Sequence, residues 1–327
     1  MRSADSGRVD ALAPAQVAAR IEAAGVAKVR QPRLQTMVLA VVAGVFIGLG
    51  ALNFVLVHAD TGLGPAARQM LGGIAFSLGL MLVVVAGGEL FTGNNLVVMA
   101  WADRRITAIE LLRHWGIVLV GNAAGALALA WAVHASGHTR MLSGLLAQDY
   151  LRIAQGKLAL PFAEALLRGV LCNLLVCAAI WMVSAGRSLT DRVLAIVFPI
   201  SAFVAAGFEH SIANFYLLAM GWLIAAEASG AADIGGTAGA SSLPGALGAT
   251  AIDLPGVLGN LLPVLLGNLF GGAVLVGLVY HLAYRWPANS RVAPGKAAGL
   301  RVSGPSATAT ALPPPAPAAP PAPPSQS

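Results

Sequence analysis

Two long apolar segments of the sequence are interrupted by GGELFTGNN at residues 87–95 and by GFEHSIAN at residues 207–214. Each interruption places glycine and glutamate ahead of an asparagine. The segments that contain them, near 70–101 and 192–226, are too long for one simple membrane span. Irregular backbone at membrane depth is tolerated only where it is packed in protein or lines a cavity. The pattern therefore predicts two broken helices beside a permeation path.

Six apolar segments surround these interruptions, and each is close to the roughly 20 residues that cross a bilayer. They lie near 37–58, 70–101, 112–135, 161–184, 192–226 and 255–284. The composition, 57% hydrophobic and 10% charged, agrees with a membrane protein, since a soluble domain is about a quarter charged. Each break falls in the second span of a three-span half, and three spans reverse the orientation of the second half. We therefore predict an all-α membrane protein with an inverted 3+3 repeat and broken second and fifth helices.

The basic residues are placed on one side of this topology. The formal net charge is +6, and fifteen of the 20 Lys and Arg lie before span one, between spans two and three, between spans four and five, or after span six. The positive-inside rule then predicts that both termini are cytoplasmic. The charge is explained by orientation, so no nucleic-acid partner is expected.

Three regions follow from this reading of the chain. Residues 1–36 lack the apolar core of a signal peptide and are predicted to form a cytoplasmic segment with a short amphipathic helix at 14–30. Residues 37–285 form the six-span channel domain. Residues 286–327 include a Pro/Ala tract and are predicted to be a disordered cytoplasmic tail that assembly and transport do not need.

The second break carries His210, which can donate from a ring nitrogen to an anion and exchange a proton near physiological pH. The first break carries Thr92, which offers a hydroxyl donor. We expect these two side chains to hold a small anion between them.

The glutamates of the two breaks are interpreted as structural, because a carboxylate on the route of an anion would repel it. Glu89 and Glu209 are expected to accept hydrogen bonds from backbone N–H groups that the breaks set free. The downstream Asn94 and Asn214 belong to the same structural set.

Other polar residues of the spans carry no separate chemistry. Cys172 and Cys177 are five residues apart on one helix, so they face different ways and are expected to be core residues. His134 and His138 have no third ligand nearby, and neither a metal nor a cofactor is expected. Glycines four residues apart predict close helix packing; these pairs are Gly44 and Gly48, Gly121 and Gly125, and Gly267 and Gly271.

Four motifs together resemble the formate/nitrite transporter family: ELFTGN at 89–94, NLLVCA at 173–178, GFEHSIAN at 207–214, and NLLPV at 260–264 with GN at 267–268. The resemblance runs from about residue 20 to 285. It implies an aquaporin-like fold, a homopentamer with one pore per protomer, and a multi-pass location in the bacterial cytoplasmic (inner) membrane.

The resemblance also implies roles for single residues. His210 matches the central pore histidine and Thr92 its partner. Lys157 and Asn173 match polar residues near the outer approach to the pore. Apolar constrictions on either side of the centre are matched by Phe76, Leu80, Leu90 and Phe203.

These residues suggest a transport mechanism for a weak acid. Lys157 would raise the local concentration of anions, and the anion would gain a proton near His210 and cross the apolar constriction uncharged. Whether His210 donates that proton or orients water is left open by the sequence. Formate is the favoured substrate, and nitrite, hydrosulfide and lactate follow the same logic.

Two other classes of protein are less well supported. A neutral-solute channel of aquaporin type would carry an Asn-Pro-Ala box in each half, and the sequence has none. An enzyme would need a cluster of ligands or a nucleophile with its base.

Overall fold

The computed structural model describes residues 11–233 and 252–285. This part of the chain contains six helices that are long and apolar enough to cross a membrane, which confirms the six predicted spans. The predicted tail at 286–327 lies outside the described residues.

The first half begins with a short helix at the range predicted for one and continues with three spans. Its elements are α1 (Pro14–Arg30), α2 (Arg33–His58), α3 (Pro65–Ala86), a 3₁₀ turn (Gly93–Val97) leading into α4 (Val98–Ala102), and α5 (Ala108–Ala135).

The second half repeats this order after two 3₁₀ turns at His138–Arg140 and Leu142–Gly144. Its elements are α6 (Leu145–Leu158), α7 (Phe162–Ala185), α8 (Leu189–Ala205), α9 (Ser211–Asp233), and α10 (Leu254–Leu269), which passes through a π-helical stretch (Phe270–Leu278) into α11 (Val279–Tyr284).

The second and fifth spans stop and restart at the two quoted motifs. Helix α3 ends before Gly87, whose φ is 92°, and α8 ends just before Gly207, whose φ is 68°. Glycine adopts this left-handed backbone without steric cost, because it has no Cβ. The chain direction therefore changes at the same point of each half.

Glycine also brings the spans close together, as predicted. A Cβ on Gly44 of α2 would collide with the backbone of α5, and one on Gly125 of α5 would collide with the backbone of α2. Gly267 and Gly271 face the backbone of α7 in the same way. The predicted small-residue packing is confirmed, and it brings α2 against α5 and the sixth span against α7 at backbone distance.

The fully buried carboxylate of Glu22 links helix α1 to the end of the sixth span. Arg285 Nε donates to Glu22 Oε2 over 2.8 Å, and His281 Nδ1 lies 3.2 Å from Glu22 Oε1. Burial raises the pKa of the Glu22 carboxyl above its ordinary value, while the Arg285 guanidinium opposes that shift. Cys172 and Cys177 are buried and unpaired, as expected.

Candidate permeation site

Each helix break lines a cavity. The first cavity, of about 320 Å³, is lined by Lys28, Glu89 and Asn94 with apolar neighbours, and we call it the Lys28 cavity. The second, of about 340 Å³, is lined by Lys157, Glu209 and other residues described below, and we call it the Lys157 cavity. Lys28 lies on α1 and Lys157 on α6. Three spans separate α1 from α6, so the two cavities belong to opposite faces of a membrane-spanning bundle.

Thr92 and His210 meet between the two breaks. Their Oγ1 and Nε2 atoms are 3.1 Å apart, and both residues are buried. The backbone N–H of Ala213 donates to His210 Nδ1 over 3.2 Å, so this nitrogen holds a lone pair. The neutral ring therefore carries its proton on Nε2 and donates it to Thr92 Oγ1. The hydroxyl hydrogen of Thr92 is left to serve another acceptor.

Apolar side chains enclose this pair from both cavities. Phe76 and Phe203 line the Lys157 cavity with ring centroids 5.7 Å apart, and the ring of Phe203 stacks on the His210 imidazole at 5.9 Å. Leu80 and Leu90 line the Lys28 cavity. All four are at most 4% exposed. The polar centre is thus bounded by phenylalanines on one side and leucines on the other.

The carboxylate of Glu89 is bound by side chains. Lys28 Nζ donates to Glu89 Oε2 over 2.6 Å, and Asn94 Nδ2 donates to the same oxygen over 2.7 Å. Asn94 Nδ2 also lies 3.2 Å from His114 Nε2. The prediction that Glu89 accepts freed backbone N–H groups is wrong, because its donors are side chains and the freed N–H of Phe91 is bound by Asn122 instead.

Glu209 is bound in the same manner. Lys157 Nζ contacts its two carboxylate oxygens at 2.9 and 3.0 Å, and Asn214 Nδ2 donates to Oε2 over 2.6 Å. The prediction of backbone donors is wrong here too. The interpretation of Lys157 as a free attracting charge also needs correction, because its ammonium is neutralised by Glu209 at contact distance.

The freed backbone groups of the first break are bound by Asn122 of α5. Phe91 N–H donates to Asn122 Oδ1 over 2.8 Å, and Asn122 Nδ2 donates to the carbonyls of Ala40 and Glu89 over 2.7 and 2.8 Å. Sequence reasoning missed this residue. The available signal was a lone amide within the apolar third span, where an unpaired polar group is costly.

Asn268 of α10 binds the freed backbone groups of the second break. Ser211 N–H donates to its Oδ1 over 2.9 Å, and its Nδ2 donates to the carbonyls of Gly169 and Glu209 over 2.8 and 3.0 Å. Asn268 belongs to the fourth motif of the sequence, but no role was predicted for it. The correspondence of these bonds with those of Asn122 supports the predicted internal repeat.

Asn173 does not lie on an approach to the pore. It is fully buried beside the first break, outside the linings of both cavities. Its Nδ2 donates to the carbonyl of Asn268 over 2.6 Å and to that of Thr92 over 3.3 Å. The predicted placement is wrong, because α7 turns this side chain toward the broken span, where it holds the backbone of Thr92.

The described residues contain no group of three or more His, Cys, Asp and Glu able to hold a metal ion. His134 Nε2 lies 3.0 Å from a carboxylate oxygen of Glu227. His138 lies in the following turn, where burial lowers its pKa below the ordinary value.

Comparison with known proteins gives a consistent result. The family model described as formate/nitrite transporter matches residues 15–282. The chain is 40% identical over 276 residues to the formate channel FocA of Escherichia coli (strain K12), covering 84% of this chain and 95% of that one. It is 35% identical over 284 residues to the uncharacterized transporter YrhG of Bacillus subtilis (strain 168), covering 85% and 96%. A solved pentameric formate channel with formate bound superimposes with a TM-score of 0.68 at 37% identity, covering 77% of this chain and 97% of that one.

Proposed function

The chain belongs to the formate/nitrite transporter family, and we propose that it passes formate across a membrane with a flux that depends on pH. The Thr92–His210 pair carries this proposal, since it places two hydrogen-bond donors between cavities on opposite faces. Relatives named as formate channels favour formate, and nitrite is the alternative, ahead of hydrosulfide and lactate.

Formate is first bound as an anion in the Lys157 cavity. It accepts a hydrogen bond from His210 Nε2–H there and a second from the Thr92 hydroxyl, in place of the contact that these groups make with each other. Because the His210 tautomer is fixed by Ala213, the donor is present in the neutral ring and needs no added proton. Binding is therefore compatible with a buried, uncharged imidazole.

The step past Leu80 and Leu90 favours the neutral acid. A bare charge at the membrane centre costs at least about 2.5 to 3.5 kcal/mol, and formic acid avoids that cost. Formate gains one proton before this step and loses it in the Lys28 cavity. The proton comes from solution. Either His210 first takes it up at Nδ1 as the imidazolium, giving up the contact with Ala213, and then passes its Nε2 proton to formate and returns to the neutral ring, or the proton arrives through water that His210 orients.

The proposed assembly is a homopentamer in the bacterial cytoplasmic membrane, with one pore in each protomer. The pentameric structural relative supports the assembly, and the distribution of basic residues supports cytoplasmic termini. In this orientation the Lys28 cavity faces the cytoplasm and the Lys157 cavity faces outward. Exposed apolar side chains of the spans, such as Trp131 and Phe198, then contact lipid or a neighbouring protomer.

Flux measurements in liposomes test the function. We expect the purified protein to pass formate and nitrite and to exclude sulfate, since one proton cannot neutralise a double charge. Competition between formate and nitrite for entry identifies the preferred anion. Sulfate flux equal to formate flux would overturn the proposal, and empty liposomes give the background.

A further inference from the structure

A second histidine lines the Lys157 cavity, at the last residue of α2. His58 Nδ1 lies 2.7 Å from Asp149 Oδ2, and the ring packs against Phe54 at a centroid distance of 5.1 Å. Asp149 is 1% exposed, while the His58 side chain is 16% exposed. The carboxylate is thus the buried member of the pair, and the imidazole faces the cavity.

This contact fixes where the protons of His58 lie. An ionised carboxylate only accepts hydrogen bonds, so Nδ1 carries the proton of the neutral ring and Nε2 holds a lone pair. A lone pair repels an anion. Protonation converts Nε2 into an N–H donor on a cationic ring. His210 has the opposite tautomer, because Ala213 donates to its Nδ1. His210 therefore offers a donor when neutral, and His58 offers one only when charged.

The charges around His58 allow such a change. Asp149 Oδ2 contacts His58 Nδ1, and Arg152 shares that carboxylate through a bond of 3.1 Å to Oδ1. Arg68 Nη1 donates to the His58 carbonyl over 3.5 Å. Arg168 lines the same cavity and pairs with Glu164 at 3.3 Å.

The remaining charged groups of the cavity are the neutralised Lys157–Glu209 pair, and His210 is the other titratable group. The side chains of Arg152 and Arg168 are 68% and 42% exposed. They add positive charge at the mouth of the cavity, where an entering anion passes first.

We propose that His58 and Asp149 form a second anion-binding site in the Lys157 cavity, which takes a small monovalent carboxylate when His58 is protonated. The site rests on the proposed function in one respect, namely that formate is the anion. It collects the anion and a proton in the same cavity, ahead of the Thr92–His210 pair. Anion capture at this face then strengthens as the pH falls.

The test is the KM for formate, expressed as anion concentration, at pH about 5.5 and about 7.5, on either side of the ordinary imidazole pKa. Formate is supplied to each face in turn. When formate is supplied at the face of the Lys157 cavity, we expect the wild-type KM to be about fivefold lower at the acidic pH. This is the effect of one added nearby charge. In His58→Gln this change disappears. His134→Gln is the matched control, because His134 lies at the same end of the bundle, outside the cavity lining, and keeps the wild-type response.

Asp149→Asn provides an independent variant, since it retains His58 and removes the carboxylate that binds its Nδ1. We expect the fivefold change of KM between the two pH values to become smaller in this variant. Elution as the wild-type oligomer shows that each variant is folded. If His58→Gln and Asp149→Asn both keep the wild-type dependence of KM on pH, the inference is overturned. Absence of formate flux in the wild type would instead overturn the proposed function.

Discussion

Alanine in place of Asn268 should destabilise the second break strongly. Its side chain is the partner of one backbone N–H and two backbone carbonyls, all within 3.0 Å, and the residue is fully buried. The Gly169 carbonyl keeps its backbone bond within α7, so the substitution leaves the Ser211 N–H and the Glu209 carbonyl without a partner. A buried polar group in that state costs about 1–3 kcal/mol, so the two together cost about 2–6 kcal/mol before relaxation. Asn122→Ala removes three bonds of nearly the same lengths. The two losses should therefore agree within about 1 kcal/mol.

Equilibrium unfolding in mixed detergent micelles, followed by circular dichroism, measures these losses. Asn95→Ala is the matched control, because Asn95 is buried nearby and its side chain makes one bond, of 3.2 Å, to the carbonyl of Asn268. Its loss should be well below that in Asn268→Ala, because the carbonyl of Asn268 keeps its shorter bond to Asn173 Nδ2. Equal losses in Asn95→Ala and Asn268→Ala would refute the conclusion that the Asn268 side chain stabilises the backbone of the second break.

Three further substitutions test the pore. Lys157→Met should lower both stability and formate flux, since breaking a buried ion pair costs about 3–5 kcal/mol. Adding Glu209→Gln to this variant should restore much of both. A double variant as defective in flux as the single one would show that Lys157 acts by attracting anions. Leu80→Ala or Phe203→Ala should hydrate the apolar boundary and admit chloride, which unchanged chloride leakage in liposomes would contradict. His210→Asn keeps a donor that cannot titrate, so its flux at saturating formate should depend little on pH. A full wild-type pH response of this saturated flux would mean that the proton comes from elsewhere.

The sequence predicts those features that depend on local pattern. Span lengths follow from apolar runs, and the breaks follow from Gly87 and Gly207 within such runs. The meeting of Thr92 and His210 was predictable because two matched motifs occupy the same place in two halves. These inferences use neighbours along the chain and the repetition of a motif.

Side-chain partners across the chain were not predictable in this way. Lys28 and Glu89 are 61 residues apart and Lys157 and Glu209 are 52 apart, so their pairing depends on where α1 and α6 pack. The position of Asn173 was misjudged for a related reason. A helical sequence shows which residues share a face, and packing decides what that face meets.

The dyad of His58 and Asp149 shows the same limit. His58 ends an apolar span and Asp149 lies 91 residues later on α6, so neither residue suggests a site by itself. Their spatial contact gives the histidine a defined tautomer, which no spacing rule supplies.

The π-helical stretch of the sixth span has a consequence for the direction in which its last side chains point. A π turn accommodates one more residue than an α turn, so the side chains beyond it are rotated by about 100° relative to an uninterrupted α-helix. The stretch begins after Asn268, so the contacts of Asn268 with the second break are not affected. It ends before His281 and Arg285, and the rotation turns these two side chains toward Glu22. Its counterpart α5 is α-helical throughout. The sixth span can therefore bind the amino-terminal helix through His281 and Arg285 without any change in the backbone contacts that Asn268 makes.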